Sequence, residues 1–341
     1  PHFKHGPLNL LVSYDIYKKE TVKFIMNFTD SKHKRFVLHP IQHKNLWDLF
    51  KQQQQVIWTT EEIDFSQDKI DWKNMEQSTK DFILKIIAFF AGSDILVIDN
   101  CMDQFMSEIT VAECKMFYSL QAFVESIHSE TYSTMLSEFG GKDFNELKDA
   151  IDKIESIKGK ADWARKYMEK KQPFGVRLLA FAIFEGVLFS ASFCSIYWLR
   201  TKNLCHGLTY SNELIARDEA LHASFGIEMF NMLGVNAPDE KIIHKVMDEA
   251  IALEMKFVDE CLPNRLQGIN ANTMKEYVKY CADHLLQRIG IKKLYNANNP
   301  YPWMDMISID SKSNFFEKRV AEYSLATVGN NVEDNSFSMD G

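Results

Sequence analysis

The chain has 341 residues, 46% of them hydrophobic and 25% charged, which is enough for one large helical domain or two ordinary ones around a buried core. A net charge of −8 with no long Lys/Arg cluster gives no footing for a nucleic-acid-binding surface. Between Pro40 and Pro238 the only proline is Pro173, which suits long helices and argues against a β-sandwich or barrel.

Residues 1–56 are mixed and weakly patterned, with a short helix expected at Leu46–Gln55. Trp58 follows, then the acidic Glu61, Glu62 and Asp64. The apolar pattern predicts a long helix from about Glu76 to Gln104. The next helix carries a capping-box pattern, Thr110-Val-Ala-Glu113, and stops at Gly140-Gly141. Residues 142–172 are lysine-rich and read as shorter peripheral helices with solvated faces. An apolar helix comes next, over about Phe174–Thr201. Its Leu178–Leu199 stretch is long enough to cross a bilayer, but Glu185 inside it would cost several kcal/mol in lipid, so a helix buried in a bundle is expected and no membrane span. Another helix spans roughly Asn212–Leu233 and ends at Gly234. Pro238 with Asp239 and Glu240 opens a further one in its first turn. Thr273-Met-Lys-Glu276 caps the last, which Gly290 ends. Ser324–Gly341, rich in Asn, Ser, Gly and acids, reads as a mobile tail. The six cysteines are scattered without a Cys-x-x-Cys pair and no secretory signal opens the chain, so a reducing, cytoplasmic setting is expected.

Chemistry enters with two Glu-x-x-His patterns, Glu125-Ser-Ile-His128 and Glu219-Ala-Leu-His222. Residues three apart on a helix share a face, so each pair is able to grip one metal ion. Two lone acids sit in otherwise apolar sequence: Asp94 in IIAFFAGSDILVI and Glu185 in LLAFAIFEGVLF. Each precedes its Glu-x-x-His by a similar interval, 31 and 34 residues. That is the ligand pattern of carboxylate bundles with two iron or two manganese ions, with Asp94 in place of the usual first Glu. Four carboxylates converging in an apolar core repel one another unless cations neutralise them. Oxygen-rich ligation with only two imidazoles suits iron or manganese better than zinc. Tyr132 lies four residues past His128 on the same helical face. Phe189 and Phe193 follow Glu185 at intervals of four, and Ile215 precedes Glu219 by four, so these apolar residues are candidates for a dry pocket around the phenol.

With these residues in hand, the chain resembles the small, radical-generating subunit of class I ribonucleotide reductase of the eukaryotic or viral type. The resemblance runs from about Arg35 to Tyr323 through RFVLHPI (35–41), AFFAGSD (88–94), ESIHSETY (125–132), KADWA (160–164), FEGVLFS (184–190), LTYSNELIARDEALH (208–222) and NFFEKRVAEY (314–323). It implies an all-α, ferritin-like helical bundle with a di-metal carboxylate site in its core, plus peripheral helices. Residues 1–56 would be an N-terminal extension, 57–322 the di-iron domain and 323–341 a flexible docking tail. It further implies two iron ions (or manganese) held by Asp94, Glu125, His128, Glu185, Glu219 and His222. Oxidation by O2 would leave a stable radical on Tyr132. An electron-transfer path would join Tyr323, Trp58, Asp218 and His128 to the metal site. The implied assembly is a homodimer, or a heterodimer with a paralogous small subunit. A separate large subunit would be engaged through the tail and would reduce the ribonucleotide. Tails of this family commonly close an acidic stretch with Phe, whereas this one reads Asn335-Ser-Phe337-Ser-Met339-Asp340-Gly341, leaving Phe337 and Met339 as its apolar anchors.

Three other readings use similar residues. An iron-storage bundle would need neither the Tyr132 pocket nor Trp58. A di-iron oxygenase would need a substrate channel to the metals. A catalytically idle companion subunit would have lost ligands, and all six are present.

Overall fold

The structure is a computed structural model and describes residues 25–262, 266 and 268–306. Among the described residues there is no strand, in agreement with the all-α expectation. After α1 (Lys44–Gln55) and α2 (Ser66–Asn74), α3 (Gln77–Asp99) runs into a π-helical stretch at Asn100–Phe105, and α4 (Ala112–Phe139) returns along it. The lysine-rich region forms two single-turn helices, Phe144–Leu147 and Ala150–Lys153, and then α5 (Glu155–Met168). The predicted apolar helix is α6 (Phe174–Ile183) and α7 (Ser190–Thr201), joined by a second π stretch at Phe184–Leu188. α8 (His206–Met232) packs back on both halves, and α9 (Glu240–Cys261) and α10 (Ala271–Arg288) cover the outer side. The α6–α7 unit is a core helix: 94% of its most apolar window is buried, so its hydropathy serves packing against helices on all sides. All six cysteines are unpaired.

Several predicted helix starts are displaced, two of them because a partner distant in sequence takes over the cap. The Thr110/Glu113 box does not form. The Thr110 hydroxyl donates to the carbonyls of Phe28 and Asp30 instead, and Glu113 Oε1 accepts from Arg35 Nη2 (2.6 Å) and from the Gln42 and His43 N–H groups. α8 begins at His206 instead of near Asn212. The Asp68 carboxylate of α2 accepts from the Gly207 and Leu208 N–H groups (2.9 and 2.6 Å), capping the helix from outside. Gly207 permits this close approach, since a Cβ there would lie 2.5 Å from the Asp64 carbonyl oxygen. Pro238 precedes α9 instead of opening its first turn: Asp239 is the N-cap and accepts from the Ile242 N–H (2.9 Å). Thr273 is the third residue of α10, whose cap is Asn270. The lysine-rich region is not solvated throughout, because Lys160 on α5 is fully buried.

Candidate metal centre

Four helical segments bring the candidate ligands together. α4 supplies Glu125 and His128, α8 supplies Glu219 and His222, α3 supplies Asp94 and the π stretch Phe184–Leu188 supplies Glu185. All six side chains are buried. Ligand atoms of Glu125, Glu185, Glu219 and His222 lie within 4.8 Å of one another. Glu125 and Glu219 each face both imidazoles. His128 Nδ1 is 3.2 Å from Glu125 Oε2 and 3.2 Å from Glu219 Oε1, while His222 Nδ1 is 2.9 Å from Glu125 Oε1 and 3.5 Å from Glu219 Oε2. Asp94 stands outside this tight group but within electrostatic reach of Glu125, His128 and Glu219.

The charge balance asks for cations. Burial, and then the Glu125 charge, pushes Asp94 well above the usual carboxylate range. Burial and the Glu219 charge do the same to Glu185. Burial also pushes Glu125 up, but hydrogen bonds with His128 and His222 override it and hold that carboxyl down at about 2. Burial lowers the imidazoles, yet hydrogen bonds to Asp218, Glu125 and Glu219 raise His128 well above its ordinary value. Those to Glu125 and Glu219 lift His222 to about 9. Without metal, protons therefore stand in for positive charge. Asp94 Oδ2, Glu185 Oε2 and His222 Nε2 are buried with no hydrogen-bond partner. Such orphaned donor atoms, in an oxygen-rich set with two imidazoles, fit a pair of iron or manganese ions. Two divalent cations would balance four carboxylates and remove the need for those protons.

Beside the ligands, Tyr132 is fully buried on α4, with its hydroxyl unpartnered. Its ring stacks on Phe90 at 4.6 Å and 9°. Phe189 and Phe193 pack on the other parts of Phe90 (5.3 and 4.8 Å), so they back the ring that covers the phenol. Ile215 is buried on α8. Burial, and then the Asp94 charge, pushes the Tyr132 phenol well above its ordinary value, so the hydroxyl keeps its proton.

On the opposite side of His128, Asp218 Oδ2 accepts from Trp58 Nε1 (2.8 Å) and lies 3.3 Å from His128 Nε2. The Trp58 and His128 rings stack at 6.1 Å. Asp218 Oδ1 is held by Gln53 and Arg217. An outer carboxylate of this kind fixes which imidazole nitrogen faces the metal. Tyr323 lies outside the described residues.

Sequence reading missed two contributors. Gln121 donates to Glu185 Oε1 (2.7 Å), and Phe90 covers Tyr132. Both were within reach of helical periodicity, since Gln121 precedes Glu125 by four and Phe90 precedes Asp94 by four. A cavity of ≈ 150 Å³ reaches Glu185 and Glu219 between α7, α8 and α10, lined in part by Phe193, Ala216, Tyr277 and Leu285.

A family model described as ribonucleotide reductase, small chain, matches residues 35–300. The chain is 43% identical over 309 residues to the ribonucleoside-diphosphate reductase small chain of vaccinia virus (strain Ankara), spanning 90% of this chain and 96% of that one. It is 42% identical over 330 residues to the ribonucleoside-diphosphate reductase small subunit of Dictyostelium discoideum, spanning 95% and 97%. The solved ribonucleotide reductase Rnr4 homodimer from Saccharomyces cerevisiae superposes with a TM-score of 0.73 at 31% identity, over 85% of this chain and 90% of that one. The dimanganese(II)-NrdF of Streptococcus sanguinis, at 18% identity and a TM-score of 0.70 over 81% and 99%, has the same fold.

Proposed function

This chain belongs to the ribonucleotide reductase small-chain family, and from that premise we propose that it is the radical-generating half of a class I enzyme with Tyr132 as the radical site. Asp94, Glu125, His128, Glu185, Glu219 and His222 would hold two iron ions, manganese being compatible with the same donors. When bound, the ions with O2 as oxidant supply the one-electron oxidising equivalent that a phenol requires. The chain's own residues do the rest. Phe90, Phe189 and Phe193 keep water from Tyr132, and burial keeps its hydroxyl protonated, so an electron leaves together with the proton. Trp58, Asp218 and His128 form the inner part of a proton-coupled path to the large subunit, where ribonucleoside diphosphates are reduced. Tyr323 and the tail of residues 323–341 would continue that path and dock the large subunit.

The observation that carries this reading is the shared grip of Glu125 and Glu219 on both imidazoles, with a buried phenol on the same α4 face. Storage, oxygenase and idle-companion readings are not favoured by the family, and the idle reading would also require a missing ligand. The deciding experiment loads metal-free protein with Fe(II) in air. Two irons per chain and a tyrosyl EPR signal are expected; two irons without that signal would refute the radical assignment. Glu219→Ala is expected to weaken metal binding by about 100-fold or more, since it deletes a ligand and not merely an outer contact. Metal analysis after desalting reads this, and unchanged stoichiometry would remove Glu219 from the ligand set.

A homodimer in the cytoplasm is the proposed resting state. Ile95 on α3, Met102 in the π stretch that follows it, and Met116 and Phe123 on α4 are exposed apolar side chains that suit burial against a second copy. Phe123→Glu is expected to weaken dimerisation by about two orders of magnitude, because it replaces an apolar anchor with a charge that must be desolvated. Sedimentation at micromolar protein would read this, and an unshifted dimer would move the interface elsewhere.

A further inference from the structure

Lys160 and Glu254 take no part in the function above, yet they are among the most buried charges in the protein. Lys160 on α5 and Glu254 on α9 are both fully buried, with Lys160 Nζ 2.8 Å from Glu254 Oε2. The same ammonium donates to the Leu188 carbonyl oxygen (2.6 Å) and sits over the rings of Phe89 and Phe257 at 3.5 and 4.0 Å. Leu188 is the last residue of the π stretch carrying Glu185, at the junction where it gives way through Phe189 to α7. Changing hydrogen-bond register at such a junction disturbs the regular ladder, and an inserted side chain is able to satisfy the freed groups. Here the ammonium of the ion pair supplies the donor, to the Leu188 carbonyl.

Two routes lead from this pair to the metal centre. Through Leu188 it pins the π stretch, three residues from Glu185. Through Phe89 it supports Phe189 (5.6 Å) and Phe90 (5.6 Å), the latter stacked on Tyr132. The geometry points to a clamp: Lys160 and Glu254 are positioning residues that hold the π junction, and with it Glu185 and the aromatic wall of Tyr132, in the shape the site requires. This rests on the reading of Glu185 as a ligand and Tyr132 as the radical. The bland alternative is a structural ion pair that contributes only to folding.

Stability and positioning separate by experiment, because an apolar pair often replaces a buried ion pair without loss of stability. K160M/E254M is expected to melt close to wild type, yet to bind Mn(II) more weakly by about 10-fold or more and to shorten the tyrosyl radical half-life by about as much, in the range that outer contacts to metal ligands command. E254Q keeps the shape and an acceptor for Lys160; it should melt lower, because the buried ammonium loses its counter-charge, yet stay within about two-fold of wild type on both readouts. Wild-type Mn(II) affinity and radical decay in a well-folded K160M/E254M would overturn the clamp. So would a 10-fold loss in E254Q, an outcome readable even if the double variant does not fold. A wild-type chain with no tyrosyl signal after iron loading counts against the function above and not against the clamp, which the Mn(II) titration tests alone.

Discussion

Tyr132→Phe is expected to fold, to load two metal ions per chain, and to give neither a tyrosyl EPR signal nor turnover with the large subunit. The change removes one oxygen from a fully buried ring stacked on Phe90, so the aromatic packing survives. That oxygen has no hydrogen-bond partner in the protein. Losing an unsatisfied buried hydroxyl relieves a desolvation cost of about 1–3 kcal/mol, so the metal-free variant should melt no lower than wild type. Activity responds in the opposite direction. A phenyl ring has no O–H proton to release with its electron, and Tyr118, the other buried tyrosine on this face of α4, stands two turns before Glu125 with its hydroxyl turned to Met229 Sδ (3.5 Å). Turnover should fall on the order of 10³-fold or more, equivalent to about 4 kcal/mol of barrier. Raised or unchanged stability with lost activity is a signature that general misfolding cannot produce. A normal tyrosyl signal in this variant would move the radical elsewhere.

The site was legible because helical periodicity and apolar context are both local. Glu125/His128 and Glu219/His222 declare a shared face by spacing alone, and Asp94 and Glu185 stand out because nothing around them is polar. What escaped depended on distance along the chain. The start of α8 is set by Asp68 on α2, and Glu113 looks like a capping acid until Arg35 and the His43 backbone claim it. Lys160 resembles any lysine of a solvated helix because Glu254, which keeps it buried, lies on α9. The π stretches at Asn100–Phe105 and Phe184–Leu188 carry no composition signal. Trp58 and Asp218 had no spacing argument at all. Their link to His128 joins a loop before α2 to two helices, which periodicity along one element does not report.

Trp58→Phe isolates that link. The variant should load metal and show the resting Tyr132 radical, while turnover with the large subunit falls by on the order of 100-fold or more, about 3 kcal/mol of barrier. Trp58 touches no ligand atom directly. It donates Nε1–H to Asp218 Oδ2, and Asp218 in turn faces His128 Nε2, leaving Nδ1 towards Glu125 and Glu219. Phenylalanine keeps an aromatic ring against His128 but has neither the N–H nor a readily oxidised indole. Asp218 remains held by Gln53 and Arg217 through Oδ1, so the imidazole keeps its orientation and the metals their ligand. Stability should drop by roughly 1–3 kcal/mol from the smaller ring and the lost hydrogen bond, too little to unfold the bundle. The decisive comparison is the EPR signal against turnover in the same preparation. If both fall together, Trp58 serves assembly of the radical and not its transfer; if neither falls, electrons reach the large subunit by a route that does not pass through Trp58.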